Sequence, residues 1–479
     1  MHRLLILGKS KLLSPFKRLD RFDLCLILLV VISYFVVSKL PFAPQKFGEG
    51  VFHNEARSAA LAVRGTEPWT KVKISRAPGP VLYYAVPYSL LPSGSSDESY
   101  WRAAFVWSVL WMSAATLLLR RAAAMKFGSD GGRLAAILTL ILPLNVYYSY
   151  GIVAEPPAYA AVTLFTYGWA RWSTSDNRSL LFNAGALLTL IGLVALLFCR
   201  PNAILLAPIG IVVAFLNRKN RREAAFALRV ALAGLLVFGF AFLALAQLPG
   251  GWQSGNFSHV LFHGRFQYRT EPWDWRFWDD TTRQGSADHA LFRSEEAKII
   301  RAHNETGTPV SGLKRTWSMN DAIDHPDLTL QMAFIRVLSL HIALVNSKTP
   351  DEFKIGPLQG RPGYLLFHFA LNFTYLVMLL SALSFVYQRR ATIASYWVLW
   401  APWAALLLFH SLTYAEPRYM FPSQPGLLIM AAVTLVPILN VLNYRLLNSR
   451  LKTLSWRPSQ SVLHKKYSNR SVEDSRACR

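Results

Sequence analysis

Eight residues of this chain combine reactive side chains with a telling position: Glu49, Asn54, Glu55, Arg76, Glu155, Arg200, Arg418 and Tyr419. A carboxylate held beside a hydroxyl can take its proton. A guanidinium presents a planar fork that binds two phosphate oxygens at once. These residues, with Glu416 beside the last pair, fall at the ends of long apolar runs and not in their middles. His368 and His410 are the ionisable residues nearest the centre of a run, and both read as polar contacts between packed helices. A pump or proton-coupled carrier places acids or histidines along a path through the membrane. An enzyme working at a membrane face needs its carboxylates and cations in short loops held by rigid spans. The second pattern is the one found here.

The elements that must hold these residues follow from the runs. Of 479 residues 53% are hydrophobic and 16% charged, against about 25% charged in a soluble chain. A span needs roughly 20 mainly apolar residues, because the hydrocarbon core is about 30 Å thick. Such runs lie at about 22–40, 101–119, 134–150, 156–170, 180–198, 202–216, 225–247, 364–387, 393–412 and 424–442. They predict an all-α polytopic membrane protein of about ten transmembrane helices.

Charge orients the bundle. Residues 1–21, 120–133, 171–178, 218–229, 389–390 and 445–479 hold 28 of the 51 lysines and arginines but 6 of the 27 acids. Nearly all of the formal +24 therefore sits on one side, which the positive-inside rule makes cytoplasmic. Both termini then lie in the cytoplasm and the reactive residues lie outside. The charge is a topology signal and not a nucleic-acid footprint; the tail 445–479 can also touch anionic lipid headgroups. Cys25, Cys199 and Cys478 make no disulfide framework or metal cluster. The basic start followed by an apolar stretch reads as an uncleaved signal anchor.

The expected organisation has five parts: a basic N-terminus (1–21), a transmembrane module (22–247) whose first outer loop is 41–100, an outer loop domain (248–362), further spans (363–442) and a basic tail (443–479). In the first loop, Asn54 to Val63 reads as a short helix with Asn54 as its N-cap. Residues 76–92, broken by Pro78, Pro80 and Pro87, read as a re-entrant, interfacial helix. The loop domain carries Trp252, Trp273, Trp275, Trp278 and Trp317 and folds as a cap. Within it, 328–346 has an amphipathic pattern suited to lying along the membrane surface.

The order of these motifs resembles the membrane glycosyltransferases of the GT-C fold. The look is closest to the branch of protein mannosyltransferase-like enzymes, aminoarabinose transferases and rhizobial galacturonosyl transferases. The residues that carry it are VFHNEARSAALAVRG around Asn54 and Glu55, RAPGPVLYYAV at 76–86, YSYGIVAEPPAY with Glu155, Cys199-Arg200-Pro201-Asn202, and EPRYMFPSQP at 416–425. They cover most of the chain. The resemblance implies transfer of a sugar from a polyprenyl-phosphate carrier to a lipid, glycan or protein acceptor, outside the cytoplasmic membrane and with inversion. The family pattern has Asp where this chain has Asn54, and an amide cannot act as a general base near neutral pH. Either Glu55 alone carries that role, or Glu49 substitutes, or the enzyme is altered or inactive.

On this reading Glu55 is the base. Phosphate is already a good leaving group, so no second carboxyl is needed as an acid, unlike in glycosidases. Arg200 and Arg418, then Arg76, with Tyr419 beside them, receive the departing phosphate. Glu155 holds one of these arginines, positions the acceptor or holds a metal ion. No cofactor is announced, although hard divalent ions on a few carboxylates leave little trace in sequence. The alternatives are a flippase for a lipid-linked saccharide, a surface-polysaccharide polymerase or ligase, and a non-catalytic scaffold. A flippase predicts inverted halves and polar residues inside spans, neither of which the sequence displays clearly.

Overall fold

Ser96 accepts a hydrogen bond from the Ser99 N–H and opens a 31-residue helix with Asp97 and Glu98 in its first turn and Lys126 in its last. The cap satisfies an orphan donor, and both charges oppose the helix dipole. In the computed structural model, the described residues are 19–38, 50–75, 77–142, 151–175, 183–218, 220–246, 255–269, 287–341, 354–355, 358–414 and 417–453. Glu49, Arg76, Glu416, Trp252, Trp273, Trp275, Trp278 and Cys478 lie outside them, as does the side chain of His368.

The helices are α1 (Arg21–Ser38), α2 (Gly50–Val63), α3 (Pro78–Ser89), α4 (Asp97–Phe127), α5 (Ser129–Ile141), α6 (Glu155–Ser173), α7 (Ala184–Cys199), α8 (Leu206–Leu216) and α9 (Arg221–Ala246). They continue as α10 (Gly255–Gly264), α11 (Ala287–Thr306), α12 (Val310–Asp324), α13 (Pro326–Leu340), α14 (Gly360–Gln388), α15 (Trp397–Leu412) and α16 (Gln424–Thr453). Short 3-10 turns at Pro201–Leu205, Ile393–Tyr396 and Pro417–Ser423 precede α8, α15 and α16. The only strands among the described residues are a two-residue pair, Lys354–Ile355 against Leu358–Gln359.

Among the described residues, five helical segments are long and apolar enough to cross a membrane: Arg21–Ser38, Asp97–Phe127, Arg221–Ala244, Ile393–Leu412 and Arg418–Leu442. Ala184–Cys199, Pro201–Leu216 and Asn372–Gln388 are shorter apolar helices. The expected spans 134–150 and 156–170 fall on α5 and α6, with 143–150 outside the described residues.

Asn54 is not an N-cap. It lies exposed inside α2, which begins at Gly50. Phe52 and His53 are buried on the packed side of that helix, so tertiary burial carries the helix past the capping residue.

Chain contacts divide the protein into two units, Met1–Val433 and Thr434–Arg479. The second continues α16, with Pro437 inside it and Ile438, Leu439, Val441 and Leu442 exposed. The first is built around α6, in which 16 of 19 residues are buried. A helix buried on nearly every side is central to its unit. Its neighbour α7 approaches through glycine: a Cβ on Gly192 would lie 2.7 Å from Phe165 Cα and 2.8 Å from the Ala161 carbonyl. Small residues at such a contact allow dense backbone packing between apolar helices. Trp169, Phe165 and Trp397 fill the core beside them.

Charge segregates to two ends of this unit. At one end Arg120 pairs with Asp20 and with buried Asp23, to which Arg121 also donates. Lys126 meets Ser173, and Phe127 stacks on Tyr396 near Arg389. The start of α1, the end of α4 and the ends of α6 and α14 therefore share one end, with Arg120, Arg121, Lys126 and Arg389. The opposite end holds the start of α4 and α6, the finish of α7 and α15, and the candidate site.

Helices α10 to α13 belong to the long polar stretch. Phe262, Phe266, Phe292 and Ile299 form a small core on which Trp317 stacks, its ring 5.2 Å from that of Phe266. Asp321 receives Arg265 Nε at 2.5 Å and both terminal nitrogens of Arg269, at 2.8 and 3.0 Å. Burial opposes the charge of Asp321, but the two arginines outweigh it and hold the carboxyl below its usual range.

Candidate functional site

Proline sets the position of Arg200. Pro201 restricts the residue before it to extended backbone and cannot continue the hydrogen-bond ladder. Arg200 accordingly leaves the helical region, at φ −140° and ψ 85°, and α7 stops at Cys199. Its side chain emerges at this break, 14% exposed. Glu155 is placed from the other side as the first residue of α6, with Pro156 and Pro157 where a helix tolerates proline. A carboxylate there is favoured by the helix dipole. Tyr84 OH, bonded to the carbonyl of Val153 at 3.0 Å, fixes the bend that delivers it.

The two side chains meet. Arg200 Nη2 donates to Glu155 Oε1 at 2.5 Å, and Arg418 Nε lies 4.0 Å from the same oxygen. Glu155 is 2% exposed, so this is a buried ion pair. The guanidinium carbons of Arg200 and Arg418 lie 5.2 and 5.5 Å from the centre of the Tyr419 ring, within cation–π range. His410 stacks on Tyr419 at 4.4 Å. The His410 tautomer is set by its partners. Nδ1 lies 2.9 Å from the Tyr414 carbonyl, which can only accept, so Nδ1 carries the proton. Nε2 then accepts from Asn202 Nδ2 at 2.7 Å. Residues 155, 200, 202, 410, 418 and 419, remote in sequence, form one cluster.

Among the described residues, three buried polar atoms of this cluster find no hydrogen-bond partner: Glu155 Oε2, Arg200 Nε and Asn202 Oδ1. Buried polar groups are nearly always paired, and an orphan there costs about 1–3 kcal/mol. Two of the three are on groups that are commonly charged.

Glu55 occupies a second centre. It is buried on α2, where Oε1 accepts from the Ser75 backbone N–H at 2.8 Å and from Ser75 Oγ at 2.5 Å. Oε2 is buried with no hydrogen-bond partner among the described residues. Helix α2 is pinned by His53, whose Nδ1 is 3.0 Å from Tyr88 OH and whose Nε2 is 3.6 Å from Asp97. Among the described residues no hydrogen bond or ion pair joins Glu55 to the arginine cluster. The link is the backbone of Ser75 to Gly79. A Cβ on Gly79 would lie 2.6 Å from Cys199 Sγ and 2.8 Å from Cys199 N, so only glycine lets the start of α3 seat beside Arg200. Ser75 and Gly79 are at most about 14 Å apart along an extended chain. Asn54 is exposed one residue before Glu55.

Burial pushes the Glu55 carboxyl above its usual range, and the two bonds from Ser75 pull it down without cancelling that rise. Ser75→Ala removes the hydroxyl and keeps the backbone N–H, so one of the two groups that favour the ionised form is lost and the carboxyl should rise further. If Glu55 must be ionised to act, activity is lost as pH falls through its pKa. The acid limb of a pH–rate profile is therefore expected to move to higher pH in Ser75→Ala, by about half a unit or more for the loss of a hydrogen bond worth about 1 kcal/mol. An unmoved limb would count against this coupling.

Sequence reasoning did not single out Ser75, whose type and position carry no signal before the fold is known. Asn202 lay inside a motif that drew attention through its Arg-Pro, and His410 stood apart as a packing residue. Among the described residues, no three or more His, Cys, Asp or Glu side chains gather into one group. The guanidiniums beside Glu155 also make that carboxylate a poor cation ligand.

No family model and no curated protein matches the chain. Solved structures of the oligosaccharyltransferase of the archaeon Archaeoglobus fulgidus are similar in part. The enzyme AglB in complex with an inhibitory peptide and a dolichol-phosphate aligns with a TM-score of 0.47 at 14% identity, over 94% of this chain and 54% of that one. The apo form gives 0.48 at 13% identity over 93% and 54%. The form tethered to an acceptor peptide gives 0.49 at 13% identity over 96% and 54%. This chain thus spans about half the length of those proteins. A likeness at this level carries no argument about fold or activity.

Proposed function

We propose that the protein is a glycosyltransferase that moves a sugar from a polyprenyl-phosphate carrier to a hydroxyl of a lipid, glycan or protein acceptor at the outer face of the cytoplasmic membrane. The observation that supports it most is the largely buried Arg200, paired to Glu155 through one nitrogen and without a partner at Nε among the described residues, with Arg418 at the same carboxylate. A phosphate monoester fits that arrangement, because its oxygens accept from the guanidinium fork.

The reaction is one displacement. Glu55 Oε2 takes the proton of the acceptor hydroxyl. The acceptor oxygen bonds to the anomeric carbon as the bond from that carbon to the phosphate oxygen breaks. The electron pair leaves on the phosphate, and the anomeric configuration inverts. Arg200 and Arg418 neutralise the charge that collects there. Glu155 keeps Arg200 in place, and Tyr419, backed by His410, gives both guanidiniums a flat surface. Arg76 and Glu49 are further candidates for the phosphate and the base. The carrier's chain stays in hydrocarbon while its phosphate sits at headgroup depth, which accounts for a site at the ends of spans.

Binding tests the phosphate role without knowledge of the sugar. Purified protein in nanodiscs is expected to hold a long-chain polyprenyl phosphate about tenfold or more tighter than the polyprenol of equal length, a difference of about 1.4 kcal/mol. Equal affinity for phosphate and alcohol would contradict the assignment of the arginine cluster.

A further inference from the structure

Helix α13 runs alongside α15 in the opposite direction. Arg336 donates to the Ser411 carbonyl at 3.1 Å and to the carbonyl of Gly264. One turn on, Leu340 packs with Leu406 and Met420. His341, which follows the helix, accepts from Trp403 Nε1 at 3.2 Å. As α13 advances from residue 336 to 341, its partners on α15 therefore recede from 411 to 403. Ile393–Leu412 is one of the segments able to span a membrane. Trp403 lies nine residues from its Leu412 end, about 13 Å of helix, which is near the middle of a core about 30 Å thick.

A helix that ends there must satisfy its last carbonyls within the protein, since hydrocarbon offers no partner. The end of α13 does so. Ser339 Oγ donates to the Arg336 carbonyl at 2.9 Å, His341 Nδ1 lies 2.7 Å from the Val337 carbonyl, and the His341 N–H donates to the Leu338 carbonyl at 3.1 Å. The Val337 carbonyl can only accept, so Nδ1 carries the proton and Nε2 is free to take the Trp403 N–H. Both ring nitrogens are thereby used.

The face turned away from α15 changes along its length. His325, Pro326 and Asp327 are exposed at the start, and Leu330 and Gln331 follow. Beyond them the exposed residues are apolar only. Leu330, Phe334 and Leu338, 72%, 59% and 36% exposed, recur at a spacing of four and so form one stripe. On α15, Leu408 and Leu412 are likewise exposed, at 50% and 52%.

We propose that α13 is a re-entrant helix: it enters the membrane from the site end, stops partway beside α15, and presents Leu330, Phe334 and Leu338 to lipid acyl chains. At 15 residues it is about 22 Å long and too short to cross. This goes beyond the surface-lying helix that its amphipathic pattern suggests, and it is independent of the transferase reading. Leu340 and Met420, both buried, pack between this helix and the Tyr419 side of the arginine cluster.

Depth measurement tests it. Cys25, Cys199 and Cys478 are replaced by Ala, and Leu330→Cys, Phe334→Cys and Leu338→Cys each carry a fluorescent label in the full chain in liposomes. Quenching by lipids brominated at mid-chain is expected to rise from position 330 to 338, while quenching by aqueous iodide falls. Equal shallow quenching at all three sites would mean a helix lying flat, and quenching by iodide alone would mean a face in water; either overturns the proposal. A label that disturbs packing is bypassed with the unsubstituted protein and a phospholipid bearing an acyl-chain diazirine. Photo-adducts at Phe334 and Leu338 are expected, and their absence, where α15 residues Leu408 and Leu412 are labelled, would also overturn it.

Discussion

Glu55→Gln is expected to lower the rate of sugar transfer by about 10²- to 10⁴-fold, the usual contribution of a positioned general base. The substitution keeps the size of the side chain and lets its amide oxygen accept both Ser75 bonds, so folding should survive and the loss should fall on the chemical step. The acceptor's proton then has no carboxylate to receive it. Asn54, exposed one residue earlier, cannot take over, because an amide is not a base near neutral pH. A matching Asn54→Asp variant separates two accounts of this departure from the family pattern. Faster transfer would mean that the asparagine limits the enzyme, and an unchanged rate would mean that Glu55 suffices.

Arg200→Ala is the second large effect. Removing one fixed donor from a site where charge develops costs about 10²- to 10³-fold in kcat. It also strands Glu155, a buried carboxylate with Arg418 4.0 Å away, and breaking a buried pair costs about 3–5 kcal/mol of stability. Arg200→Lys separates the two losses, since an ammonium keeps the charge but not the planar fork. Transfer by Arg200→Lys is expected to stay well below wild type, with saturation by donor weakened more than saturation by acceptor. Equal weakening toward both would count against a phosphate role.

Much of the architecture is legible in the sequence, and the reason is physical. Apolar runs bounded by arginines fix the class of protein, and Arg120, Arg121, Lys126 and Arg389 do gather at one end of the helices. Cys199-Arg200-Pro201 announces a break because proline constrains the residue before it, and Arg200 stands at that break. Pairing is different. That Glu155 holds Arg200 depends on α6 and α7 packing antiparallel so that the start of one lies beside the finish of the other, and that His410 braces Tyr419 depends on the turn after α15 folding back; no local spacing encodes either. The N-cap expected at Asn54 fails for the same reason, since burial of Phe52 and His53 decides where α2 begins. The sealed end of α13 is likewise invisible in sequence, because Ser339 and His341 gain meaning only beside Trp403.

The most direct test of the central claim is transfer from a panel of radiolabelled polyprenyl-phosphate sugars into lipid, glycan and protein fractions by membranes containing the wild-type protein or Glu55→Gln. The account predicts label moved from at least one donor by the wild type and lost in the variant. Label moved equally by both would contradict the assignment of the base, and no transfer from any donor would contradict the proposed activity itself.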